Sequence, residues 1–179
     1  DESGSIADES IACEFYGAEH FEIGFNHKYL EEALQQLAID GNTIAIGSQY
    51  SDDTAQNSGT AHIFTRSGSS WSYRTQLEAS DAAANDKFGS SIAIDGSTLL
   101  VSAYTEGGSG TSRGAVYVFT GSGSSWSQQA KLTASDAQDH DYFGYGLDLD
   151  GDTAVIGAFG EDPLLSNTGS AYVFNRSGS

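Results

Sequence analysis

Two short acidic stretches carry the side chains best suited to chemistry. "SDAAANDKFG" holds Asp81, Asn85 and Asp86, and "SDAQDHDYFG" holds Asp136, Asp139 and Asp141. Carboxylates gathered this closely on loops offer hard oxygen ligands, of which calcium takes roughly six to eight. Asp81, Asp86, Asp136, Asp139 and Asp141 are therefore the candidate metal ligands and calcium the candidate ion; no other cofactor is indicated. The same residues have a second reading. Asp81 and Asp136 stand 55 apart, as do Asp86 and Asp141, and a short carboxylate recurring at a fixed period can equally accept backbone N–H groups in a repeated turn. Asp52, Glu106, Glu161 and Asp162 add acidic groups in further loops.

A third acidic stretch, "DYFGYGLDLDGD" from Asp141 to Asp152, reads as a strand and a turn. Asp148 and Asp150 lie two apart and share one face of the strand, and Asp150-Gly151 is turn chemistry. The other catalytic arrangements find little footing. His20, His27, His62 and His140 sit in four unrelated contexts. His62 falls where Tyr117 and Tyr172 fall in later repeats, which predicts a strand-face residue. The abundant serines form no G-x-S-x-G elbow ahead of a helix pattern, and the glycines lie in "SGSS" turns and not in a phosphate cradle. Trp71 and Trp126 could stack a sugar ring, but a tryptophan opening the outer strand of each unit is expected to pack between units.

The elements that must position these residues repeat. "LAIDGNTIAIGSQY", "IAIDGSTLLVSAYT" and "LDLDGDTAVIGAFG" align without gaps, placing Asp40, Asp95 and Asp150 55 apart. Thr43, Thr98 and Thr153, then Phe64, Phe119 and Phe174, keep the same period, as do Phe88-Gly89 and Phe143-Gly144. Within a unit, "FGSSIAID" leads through Asp95-Gly96 into "STLLVSAY". A polar loop follows, then "AVYVFT", a "GSGSS" turn and "WSQQAKLTAS", in which Trp126, Gln128, Ala130 and Leu132 alternate. Four strands joined by hairpins in roughly 50 residues predict the blade of a β-propeller. The expected fold is all-β: about 2.7 four-stranded repeats of 55 residues, with units 37–81, 82–136 and 137–179.

"KLTASD", "FGYGLDLDGDTAVIGAFGED" and "GSAYVF" together resemble the FG-GAP repeat of integrin α-chain propellers and their microbial relatives, over residues about 37–179. The resemblance implies a β-propeller whose blade-end loops contact a protein or glycan in an extracellular or cell-surface setting. The chain departs from the "GAP" signature, having Gly47-Ser48-Gln49, Ser102-Ala103-Tyr104 and Gly157-Ala158-Phe159 there. Calcium-bearing repeats of the family carry a D-x-N-x-D-G-x-x-D loop in the first hairpin. This chain has only "LDLDGDTAV", so that loop is absent.

Residues 1–36 break the period, with Ala33-Leu34 where Phe-Gly is due. "SIACEFYG" and "HFEIGF" alternate like strands, and Leu30, Ala33, Leu34 and Leu37 fall at helical spacing behind Asn26, predicting a β-β-α segment. Residues about 8–36 resemble part of the last domain of a bacterial DNA sliding clamp. A clamp needs a ring of such domains with a basic inner surface, so clamp function does not follow.

Seven Lys and Arg against 25 Asp and Glu leave a formal charge of −18. That disfavours nucleic acid and anionic membranes as partners, and no stretch has the roughly 20 apolar residues that membrane insertion requires. Cys13 stands alone, excluding an intrachain disulfide. The absence of Met suggests a processed or excerpted chain. The leading expectation is a non-enzymatic adhesion or binding module. The alternatives are a structural subunit that self-associates through blade edges into a filament or coat, and a glycan-acting propeller enzyme.

Overall fold

A computed structural model describes residues 36–107, 111–160 and 168–177. The predicted β-β-α segment, Glu161 and Asp162 lie outside them. Three antiparallel sheets succeed one another along the chain. The first is β1 (Leu37–Asp40), β2 (Thr43–Ser48), β3 (Thr60–Ser67) and β4 (Ser70–Leu77), in that order across the sheet. The second is β5 (Ile92–Asp95), β6 (Thr98–Ala103), β7 (Ala115–Ser122) and β8 (Ser125–Leu132). The third joins β9 (Phe143–Asp150), β10 (Thr153–Ala158) and β11 (Ser170–Asn175). These are propeller blades, and the all-β reading of the repeats holds for the described residues. The alternation of Trp126, Gln128, Ala130 and Leu132 also holds, each being more buried than the neighbours between them.

The hairpin turn is displaced by one residue from its expected place. Asp95 pairs with Thr98 at the end of the ladder, so the two loop residues are Gly96 and Ser97. Asp40 and Asp150 likewise close their strands against Thr43 and Thr153. The turn glycines Gly41, Gly96 and Gly151 take φ of 54–56°, which a residue without Cβ adopts freely.

Apolar residues from facing blades fill two cores. One joins Ala45, Ala61, Ile63 and Leu77 of the first blade to Phe88, Leu99, Val101, Tyr117 and Phe119 of the second. The other joins Leu100, Val116 and Ala134 of the second to Phe143, Ala154, Ile156 and Ala158 of the third. Because strand side chains alternate, Leu99 and Leu100 serve different cores.

The Phe-Gly pair is the bolt of each seam. Phe88 and Phe143 are fully buried. Phe88 meets Tyr117 and Phe119 edge-on at 5.5 and 5.9 Å, and Phe143 meets Tyr172 and Phe174 at 5.4 and 5.9 Å. Their N–H groups donate back to the preceding blade, Phe88 to the Ser58 carbonyl at 2.9 Å and Phe143 to the Arg113 carbonyl at 3.0 Å. Gly59 and Gly114 let the backbones approach this closely. A Cβ on either would lie 2.0 Å from the carbonyl oxygen of Phe88 or Phe143.

Candidate functional site

The five candidate metal ligands divide into three architectural roles. Asp81 accepts the Tyr117 hydroxyl at 2.8 Å, and Asp136 accepts that of Tyr172 at 2.8 Å. Asp86 and Asp141, both buried, accept the backbone N–H of Ala83 at 2.8 Å and of Gln138 at 2.5 Å. Asp139 accepts Arg113 Nε at 2.9 Å and the Thr111 N–H at 3.2 Å. These bonds, Arg113 first, hold its carboxyl below the ordinary aspartate value. Among the described residues no three His, Cys, Asp or Glu are grouped so as to hold a metal ion. Asp86 and Asp141 thus accept turn N–H groups as the period suggests, Asp81 and Asp136 accept tyrosine hydroxyls instead, and Asp139, with Ala84 at its place one repeat earlier, bonds outside the periodic pattern.

Beside them a groove of about 680 Å³ is lined by residues including Asp81, Asp86, Lys87, Thr105, Glu106 and Lys131. Lys131 Nζ is held between Asp81 at 2.7 Å and Glu106 at 3.2 Å, and lies 5.5 Å from the centre of the Tyr117 ring. Burial opposes the charge on Lys131, but the Asp81 and Glu106 carboxylates outweigh it and raise its pKa. Burial also works to raise Asp81, yet the bonds from Lys131 and Tyr117 leave it below its usual value. Asp86 is pushed up, by burial first and by the nearby Glu106 and Asp81 charges, against the Ala83 N–H bond. Two carboxyls displaced in opposite directions within one groove meet a condition of acid–base catalysis. The Tyr117 and Ala83 bonds have counterparts 55 residues on, from Tyr172 to Asp136 and from the Gln138 N–H to Asp141.

Next to the groove, sharing Lys87 with it, a line of aromatic rings crosses the three blades. Lys87 Nζ sits 5.8 Å from the Tyr50 ring centre and 5.2 Å from that of Tyr104, whose hydroxyl it meets at 3.2 Å. Tyr104 meets Tyr145 edge-on at 5.5 Å, and Tyr145 meets Phe159 at 4.5 Å. Tyr142 stacks on Phe159 at 4.8 Å with planes 7° apart. Tyr50, Tyr145 and Phe159 remain more than half exposed. Tyr104 and Phe159 occupy the place of the signature proline, and that departure was the available signal for this line.

The tryptophans lie elsewhere. Trp126 is half-buried against the first core and donates its indole N–H to the Gly123 carbonyl, and Trp71 lies under Arg66. His62 is a strand-face residue, as its alignment with Tyr117 and Tyr172 predicts. Its Nε2 is 3.2 Å from Thr60 Oγ1, and burial lowers its pKa against the pull of Asp53.

The turn aspartates do more than shape turns. Asp40 Oδ2 accepts the N–H of Gly96 at 2.6 Å, and Asp95 Oδ2 accepts that of Gly151 at 2.5 Å. Each carboxylate ties its blade to the turn of the next, through a charge-assisted bond.

With these seams in view, comparison with known families is decisive. The FG-GAP repeat pattern matches residues 35–64, 71–119 and 126–174. The chain belongs to the FG-GAP repeat family. No curated protein matches it. The clamp-like stretch gains nothing from this, since the FG-GAP match begins at residue 35 and the stretch lies outside the described residues.

Proposed function

We propose that this FG-GAP chain is a non-enzymatic, extracellular or cell-surface binding module that holds a protein or glycan on its blade-end loops. The observation that carries this reading is the line of Tyr50, Tyr104, Tyr142, Tyr145 and Phe159 beside a polar groove, with Tyr50, Tyr145 and Phe159 exposed. Aromatic faces flanked by a few fixed polar groups suit the mixed apolar and hydroxylated surface of a sugar or a peptide. The net charge of −18 favours a neutral or cationic ligand over an anionic one. Calcium has no assigned part in it, because Asp81, Asp86, Asp136, Asp139 and Asp141 already serve the blades. Millimolar calcium is expected to leave the melting temperature unchanged, and a rise abolished by Asp139→Ala would reinstate the metal.

The test is a binding screen of the chain against neutral oligosaccharides and extracellular proteins, repeated with Tyr145→Ala/Phe159→Ala. Each ring contributes about 0.5–1.5 kcal/mol, so the double variant should bind roughly 5- to 150-fold more weakly while still unfolding cooperatively. Binding that survives both changes would move the site off the aromatic line.

A further inference from the structure

Each turn aspartate precedes a glycine, and that dipeptide has a reactivity of its own. The glycine nitrogen can attack Cγ of the aspartate, unhindered because glycine carries no Cβ. The carboxyl OH and the amide proton leave together as water, and a five-membered succinimide closes between the two residues. Water then opens the ring at either carbonyl. One route restores aspartate. The other gives isoaspartate, whose main chain runs through the former side chain and is one carbon longer. No oxidant, reductant or cofactor is consumed.

At Asp95-Gly96 both reacting groups are held by other blades. The attacking group, the N–H of Gly96, is donated to Asp40 Oδ2 of the first blade at 2.6 Å. The attacked group, the Asp95 carboxylate, accepts the N–H of Gly151 of the third blade at 2.5 Å. The turn is also pinned within its own blade. Asp95 closes the ladder against Thr98, and the Ser97 carbonyl accepts the N–H of Gly121 at 2.9 Å. To bring Cγ onto the Gly96 nitrogen, Asp95 must give up its extended conformation and release Gly151, while Gly96 must leave Asp40. Burial does not protect the turn, since Gly96 and Ser97 are exposed to water.

We propose that Asp95-Gly96 is a site of spontaneous isoaspartate formation, held shut by the inter-blade bonds and opened when the first and second blades part. The modification then passes along the chain. Isoaspartate at position 95 displaces the carboxylate that holds Gly151, and the freed N–H belongs to the next reactive pair, Asp150-Gly151. Loss of one seam bond thus exposes the following turn to the same reaction.

The test is prolonged incubation of the folded parent chain, Asp40→Ala and Asp95→Ala at neutral pH, with isoaspartate located by peptide mapping and methylation by an isoaspartyl methyltransferase. The parent chain in urea supplies the unguarded rate. Isomerisation at Asp95 should be slower in the folded parent than in urea, and Asp40→Ala should speed it roughly two- to twelvefold, the factor that one lost hydrogen bond allows. Asp150 should keep its parental rate in Asp40→Ala and gain a similar factor in Asp95→Ala. Equal rates at Asp95 in the folded and urea-unfolded parent overturn the proposal, and this comparison needs no variant to fold. An unchanged Asp95 rate in folded Asp40→Ala overturns it too. So does an equal rise at Asp95 and Asp150 in that variant, since general loosening and not the released N–H would then be the cause.

Discussion

Strands β6 and β10 hold the same place in successive blades, yet β6 is buried at all six positions while β10 alternates. The backbone register to the following strand is equivalent in the two blades, so pairing on that side does not explain the contrast. Among the described residues β6 has a blade on each face and β10 has one. A second neighbour converts a half-buried strand into a core strand, and the same apolar side chain changes from a surface residue to a structural one. Leu100→Ala is accordingly expected to cost about 2–5 kcal/mol, and Val155→Ala less than about 1 kcal/mol. Urea denaturation of both at a concentration that keeps the chain monomeric would check this. Equal losses would mean that the outer face of the third blade is already covered.

The close-approach glycines sharpen the same contrast at smaller scale. Gly114 and Gly169 have φ of 85° and 66°, so alanine at either incurs roughly 1–2 kcal/mol for the left-handed conformation. At Gly114 the added methyl also strikes the Phe143 backbone and must push the blades apart. Gly114→Ala should therefore lower stability by more than Gly169→Ala, read from the two denaturation midpoints. If the losses match, the seam yields more readily than its contacts indicate.

What the sequence made legible was whatever recurs. The period exposes the blades, the hairpin order, the strand-face role of His62 and the bonded role of Asp86 and Asp141, because each unit repeats the same pattern. Contacts between units were hidden. Asp95 reads as a turn residue since Asp-Gly has a local meaning, and nothing local shows its carboxylate reaching Gly151, 56 residues away. The aromatic line was hidden for the opposite reason. Tyr142 takes the place of Lys87, and Phe159 that of Tyr104 and Gln49, so repeat comparison registers variation where the fold assembles a continuous strip. Lys131 and Glu106 similarly come from separate strand and loop segments that only the folded blade brings to Asp81.

The turn aspartates give the next test. Asp95→Ala removes a bond to the following blade and should cost about 0.5–1.5 kcal/mol. Asp150 has no such bond among the described residues, so Asp150→Ala should leave the melt where it is. A destabilised Asp150→Ala monomer would show that this carboxylate already has a partner in its own chain.

The smallest effect separates the first blade from the second through pH. His62 stands where Tyr117 stands, and burial holds its pKa below the ordinary 6.5. Between those two values the unfolded chain binds more protons than the folded one, so this contribution to stability is intact above pH 6.5 and declines as the pH falls through the folded value. Asp86 runs the other way: its pKa is raised, so its contribution is present at low pH and fades as the pH rises. Subtracting a His62→Gln variant from the parent chain isolates the histidine from every carboxylate. The parent should lose stability faster than the variant below pH 6.5, with the two curves parallel above it. Parallel curves throughout would place the imidazole in water, and the first blade would then be open on that face as fully as the third is on its own.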